Sequence, residues 1–281
     1  MTGRLCWLAS YPKSGNTWVR FLLESLLTGG AAIDINNRQI RTGIVRGADL
    51  EELFGIEASD LTEAEIMATV PAFHRALAAD ADRSHILRKV HDRYWLTSVG
   101  EPAFPAAVSH GAIYIVRDPR DVAVSYAHHR GWTVDEAIAF MADEQAMLAT
   151  WGRPRFRLQL PQPLGGWGSH VLSWLEQRDI PVLLVRYEDL HGDPITTLTA
   201  IGRHLGLDAP AHLVAAAVDA ASFPRLKAQE AAEGFVERPA GATAPFFRSG
   251  RPGDWRSRLT ANQADRIRTR HGAVMRRIGY L

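Results

Sequence analysis

Four short stretches hold the residues best suited to chemistry, and all four are rich in groups that grip an anion. In "YPKSGNTW" (11–18), Lys13 stands among the small donors Ser14, Asn16 and Thr17, where an apolar run gives way to a helical pattern. Unpaired backbone N–H groups at the positive end of a helix favour an anion, and a lysine beside them adds a full charge. In "VRDPRDVAVSY" (116–126), Arg117 can hold a phosphate through paired hydrogen bonds and Ser125 can donate one more. In "RKVH" (88–91), an extended backbone turns Lys89 and His91 to one face, because side chains alternate with period two. That pair suits a transferring anionic group and its nucleophile. In "FFRSGRPGDW" (246–255), Arg248, Ser249 and Gly250 lie in an irregular stretch, and mobile cationic loops close over anionic cofactors.

Each stretch also has a plainer reading. The first is a solvated turn; the second pairs Arg117 and Arg120 with Asp118 and Asp121 at the surface. His91 is one of 11 histidines, most of which serve structure, and the last stretch is a linker with scattered arginines. The first loop is not a Walker A loop, G-x-x-x-x-G-K-[ST]. Lys13 precedes Gly15, Asn16 takes the lysine's place, and no glycine opens the turn. Alone it says only that an anion binds there.

The elements that position these residues follow from hydrophobic pattern. "RLCWLASYP" reads as a buried strand, and the helix after it runs through Trp18, Phe21, Leu22 and Leu26 to Gly29-Gly30. Further strands are expected at 85–91, 111–118 and 180–190. Pro119 after Asp118, and Pro194 after Asp193, open helices. Thr62 with Glu65 forms a capping box, and a basic amphipathic helix ends the chain. Strands alternating with helices predict an α/β fold with a parallel sheet covered on both faces. It forms one domain over 1–281, with acceptor-side segments at about 31–84 and 131–170 and a lid at about 229–253. Trp132, Phe140, Trp151, Trp167 and Trp174 supply aromatic material for the acceptor side or for the core.

Composition narrows the functional class. A net charge of +1 gives no support to nucleic-acid binding. A single cysteine, Cys6, forbids an internal disulfide and suits a reducing compartment. No stretch approaches the ~18 apolar residues of a membrane span, and the start lacks the pattern of a secretory signal. The expectation is a soluble cytoplasmic protein.

In order and spacing, the four stretches resemble the cytosolic-type sulfotransferases that use 3′-phosphoadenosine 5′-phosphosulfate (PAPS). "YPKSGNTW" is similar to the family's phosphosulfate loop, YPKSGTTW; "YIVRDPRDVAVSY" resembles its 3′-phosphate segment; "RSGRPGDW" matches R-K-G-x-x-G-D-W. The resemblance implies that Lys13 bridges the 5′-phosphate and sulfonate, with Ser14, Gly15, Asn16, Thr17 and Trp18 completing a P-loop-like cradle. It implies Arg117, Ser125, Arg248, Ser249 and Gly250 at the 3′-phosphate, and Trp18, Tyr187, Ser222 and Phe223 near the adenine. His91 would be the base and Lys89 its companion; no metal is implied. Asn16 replaces a threonine, Ser249 a lysine, and "KVHDR" stands for K-T-H-x-P. The dimer motif K-x-x-x-T-V-x-x-x-E survives weakly as Arg256, Thr260, Ala261 and Asp265, leaving monomer or homodimer open.

The implied reaction is in-line transfer of a sulfonate to a hydroxyl, or to an amine, of a small-molecule acceptor. Two alternatives stand beside it. A P-loop-type small-molecule kinase would use Asp118 for magnesium and depend on ATP. A non-catalytic nucleotide-binding protein would bind the bisphosphate product without turnover.

Overall fold

The computed structural model describes residues 5–37, 40–42, 47–57, 60–79, 86–148, 160–238 and 245–281. Five parallel strands form its central sheet in the order β2-β3-β1-β4-β7. They are β1 (Leu5–Ser10), β2 (Arg41–Thr42), β3 (Ile86–Val90), β4 (Ser109–Val116) and β7 (Val182–Arg186). A separate two-stranded ribbon pairs β5 (Met147–Leu148) with β6 (Gln162–Pro163).

Alternation along β1 builds a core on each face. Leu5, Trp7, Ala9 and Tyr11 enter one core with Tyr114, Trp167 and Trp174. Cys6 and Leu8 enter the other with Phe21, Leu22, Ile113, Ile115 and Ile201. Every residue of β1 is buried, as a central parallel strand requires. Helix α1 (Asn16–Leu27) crosses on the second face and packs on α9 (Ala211–Ala220); α6 (Trp167–Glu176) and α11 (Ala261–Arg277) cover the first. Other helices are α2 (Gly47–Phe54), α3 (Glu63–Ala79), α4 (Pro119–Arg130), α5 (Val134–Ala142), α7 (Tyr187–Gly192), α8 (Pro194–His204) and α10 (Phe223–Glu233).

The capping signals work as read. Thr62 and Glu65 exchange hydrogen bonds at the start of α3; Asp118 caps α4 and Asp193 caps α8.

Two expectations change. The 180–190 strand stops at Arg186, and "YEDLHG" turns into α7, with Glu188 and Asp189 in its first turn complementing the helix dipole. The 229–253 stretch does not begin irregular: 229–233 belong to α10, where "AQEAAE" supplies strong helix formers. Asp254 opens only a 3₁₀ turn (Asp254–Ser257), and the longer helix waits for the capping box of Thr260 and Gln263. Trp167 and Trp174 are fully buried core residues, while Trp151 and 239–244 lie outside the described residues.

Candidate active site

All strands of the sheet are parallel, so their C-terminal ends share one edge. Strand β1 runs into the Tyr11–Gly15 loop and is flanked by β3, which ends before His91, and β4, which ends before Arg117. Chain order reverses across β1, from β3 on one side to β4 on the other. Ligands of open α/β sheets bind at such a switch point.

The loop is built under constraint. Lys13 has φ +70°, the only non-glycine residue with positive φ among those described. That conformation is uncommon for a lysine and points to a functional position. Gly15 follows at φ +101°, and a Cβ there would meet Tyr187 Cδ2 at 2.5 Å, so the position admits only glycine. Asn16 turns inward: its Nδ2 donates to Leu8 O (2.8 Å) and Ser10 Oγ (3.2 Å), tying the helix start to the end of β1. Ser14 is buried within the loop with its Oγ unpartnered. Trp18 N–H (3.0 Å) and Val19 N–H (3.2 Å) close the first turn of α1 on Gly15 O, and the helix start before them presents its positive end to an anion.

Backbone ties fix His91 just beyond β3. Its Nδ1–H donates to Ser10 O at 2.8 Å, which leaves the ring's lone pair on Nε2, and His91 lines the cleft. Its own carbonyl accepts from His170 Nε2 (3.0 Å), and His170 is oriented by Tyr114 Oη–H donating to its Nδ1 (2.8 Å). Trp174 Nε1–H donates to Asp92 O at 2.9 Å. Helix α6 thus grips the two consecutive carbonyls of residues 91 and 92. Burial, then the neighbouring Lys89, push the His91 pKa well below the ordinary histidine value, so the imidazole is neutral. Burial, followed by Lys89 and Arg117, lowers Lys13 to about 7. Burial also raises the Asp92 carboxyl to about 7, against the donation it receives from Gln162 Nε2 at 2.6 Å.

On the other side of β1, the two remaining motifs meet. The Arg117 guanidinium lies over the Tyr187 ring (4.5 Å) and donates to Arg251 O (3.1 Å). Tyr187 Oη–H donates to Gly250 O (2.7 Å). Gly250 has φ +65°, and a Cβ there would lie 2.5 Å from the Phe223 ring. Asp121 is the clamp: its carboxylate accepts from Gly253 N (2.6 Å) and Trp255 N (2.9 Å) and sits 3.9 Å from Arg117. Asp118 is occupied by Arg120, through its cap bond and a 2.6 Å ion pair. The kinase alternative needs that carboxylate for a metal.

These groups line one cleft of about 460 Å³, within the roughly 300–1,000 Å³ common for ligand sites. Lys13, Gly15, Asn16, Thr17, Trp18, Lys89, His91, Arg117, Ser125, Tyr187, Phe223, Arg248, Ser249 and Gly250 all reach it. Two expected residues do not line it. Ser14 is fully buried within the loop, and Ser222 stands at the N-cap position of α10 without a side-chain cap bond. Trp18 stands edge-on to Tyr187 and donates to Ala221 O (2.9 Å).

Several lining residues had no role from sequence: Tyr126 and Phe246, each at the edge of a quoted stretch, and His129, Leu148 and Glu237, which lie outside all four. Tyr126 and His129 follow Ser125 on the same helix, so helical spacing could have found them. Glu237 accepts from Thr17 Oγ1 (3.3 Å) and pairs with the buried Arg20 (2.7 Å), a contact no local pattern announces. Of the described lining residues, Leu148 comes from 131–170 and none from 31–84.

A family model described as "Sulfotransferase domain" matches residues 4–279. Sulfotransferase 1A1 of Rattus norvegicus is 26% identical, covering 95% of this chain and 83% of its own length. Flavonol 3-sulfotransferase of Flaveria bidentis is 24% identical, covering 92% of this chain and 78% of its own. Among solved structures, mouse sulfotransferase SULT7A1 complexed with PAP aligns with a TM-score of 0.59 and 21% identity, over 98% of this chain and 86% of that one. Retinol dehydratase, solved with androsterone and the inactive cofactor PAP, gives 0.62 and 17%, over 96% and 80%. These two share the fold. A match spanning nearly every residue, over a cleft where all four motifs meet, leads to one conclusion: the chain belongs to the sulfotransferase family, as a PAPS-dependent member of the cytosolic type.

Proposed function

We propose that the cleft binds PAPS and moves its sulfonate to a hydroxyl of a small-molecule acceptor, with His91 as general base. The observation that carries this reading is the pairing of a neutral His91, its lone pair on Nε2, with Lys13 in the lining of the same cleft. The donor set suits a bisphosphorylated nucleotide. Lys13, Lys89, Arg117 and Arg248 bring cations, Ser125 and Ser249 bring hydroxyls, and Trp18, Tyr187 and Phe223 bring flat apolar faces. The strand–loop–helix of residues 5–27 acts as the phosphosulfate cradle.

When bound, the donor supplies an activated sulfonate. The protein supplies position and charge. His91 Nε2 accepts the acceptor's hydroxyl proton as its oxygen bonds to sulfur. Lys13 donates to the phosphate oxygen that leaves as the old S–O bond breaks, and Lys89 stabilises charge on the sulfonate. Such catalysis rests on preorganisation. Tyr126, Leu148 and Phe246 form an apolar wall for the acceptor, and Glu237 and Phe246–Gly250, from the stretch read as a lid, line the same cleft.

His91→Ala is expected to lower labelled-sulfonate transfer by about 10²–10⁴-fold, the usual worth of a general base, while calorimetry shows PAP affinity within about threefold of wild type. Near-normal turnover in that variant contradicts the role.

A further inference from the structure

One contact in the cleft belongs to none of the four functions assigned above. His129, in the last turn of α4, places Nδ1 3.4 Å from Lys13 Nζ. An ammonium only donates, so Nδ1 is the acceptor and the ring proton sits on Nε2. His129 lies four residues beyond Ser125, on the same helix face. Helix α4 therefore reaches from the Arg117 end of the cleft to the lysine.

Phe246 completes the setting. Lys13 Nζ lies 4.4 Å from the Phe246 ring centre, and the His129 ring stands edge-on to the same phenyl at 6.4 Å. The lysine is thus held between an imidazole lone pair and a ring face. Charged neighbours come from every side: Lys89 from β3, Arg117 from the end of β4, Glu237 from the 234–238 segment, and Arg130 beside His129. Burial, reinforced by Lys13, Arg130 and Lys89, lowers His129 to about 4 and keeps its lone pair free. Those surroundings, Glu237 apart, disfavour a charged lysine, and a neutral acceptor opposes them.

We propose that His129 is a positioning residue: it holds the Lys13 ammonium in place, protonated, until the donor's phosphate takes over. This rests on the proposed function, in which Lys13 binds the 5′-phosphosulfate. It has a signature in pH. Binding of the anion requires the ammonium, so affinity is level below the pKa of free Lys13 and falls above it. Removing a neutral acceptor lowers that pKa further, so the fall begins at lower pH.

The test is calorimetric titration of the intact chain with PAP from about pH 6 to about pH 9, for wild type, His129→Ala and His129→Gln. Thermal melting of each variant checks its fold. Wild-type affinity should begin to fall near pH 7. His129→Ala should match wild type within about twofold at the acid end, yet bind about fivefold more weakly at pH 7.5, with its break moved down. His129→Gln, whose amide oxygen also accepts from an ammonium, should restore the wild-type curve. An unmoved break in His129→Ala overturns the proposal. So does His129→Gln behaving like alanine, since ring packing then explains the effect. A wild-type chain that binds no PAP at all overturns the proposed function and this inference together.

Discussion

His91 shows how a residue's role is set by what holds it. A free histidine titrates near 6.5. Here burial and Lys89 depress the pKa, and the Ser10 carbonyl fixes the tautomer. The folded value lies below the free one, so the imidazole proposed as the base stays unprotonated as pH falls through 6.5. Transfer measured from about pH 5.5 to 7 should therefore show no histidine-like acid limb at 6.5; an acid limb centred there contradicts the assignment. That Lys13, Lys89, His91 and Arg117 share one cleft was expected from the resemblance of their short motifs to a known family, each motif alone leaving a plainer reading open. His129 and Glu237 were not expected there. Their partners are 116 and 220 residues away along the chain, and only the packed fold makes the pairs. Asn16 was read as a donor to the ligand, whereas its side chain is hydrogen-bonded within the protein.

At the scale of elements, two joints position the chemistry. The first is the β1–α1 turn. Gly15→Ala places a methyl against the Tyr187 ring in a left-handed backbone, so Tyr187 must move and release Gly250. PAP affinity should fall at least tenfold by calorimetry, and an unchanged affinity would show the turn tolerates a side chain. The second is Asp121 in α4, which accepts from two backbone N–H groups of the Gly253–Trp255 turn. Asp121→Ala leaves those donors unsatisfied at about 1–3 kcal/mol each. The variant should melt lower and bind PAP more weakly, and an unaltered melt and affinity count against the clamp. Strands and capped helices were readable because alternation and caps are local signals. Helix α7 was missed because apolar residues run on past Arg186 into "YEDL", where acidic residues at a helix start outweigh the apolar run. Trp174 offered two readings from sequence, acceptor wall or core; burial between the sheet and α6 decides for core, and its N–H braces the strand end beside His91.

For the whole molecule, a parallel sheet with a core on each face places its strand ends along one rim, and the cleft opens there. Among the described residues, no helix is long and apolar enough to cross a membrane. A ligand that binds only the folded chain raises its stability, by about 2.7 kcal/mol at a hundredfold excess over Kd. PAP at that excess should raise the melting temperature by several degrees, and AMP should do less, since it lacks the 3′-phosphate proposed to engage Arg117, Ser125 and Arg248. Equal shifts with both nucleotides contradict the assigned 3′-phosphate site.

The central claim is tested most directly by incubating wild type, Lys13→Ala and His91→Ala with PAPS carrying a labelled sulfonate and a panel of phenols, alcohols and amines. Wild type should give labelled product on at least one hydroxyl compound with PAP released in equal amount, and either variant at least about 100-fold less. Wild-type protein that binds PAP yet labels no acceptor, or labels it equally well without Lys13 or His91, would contradict it.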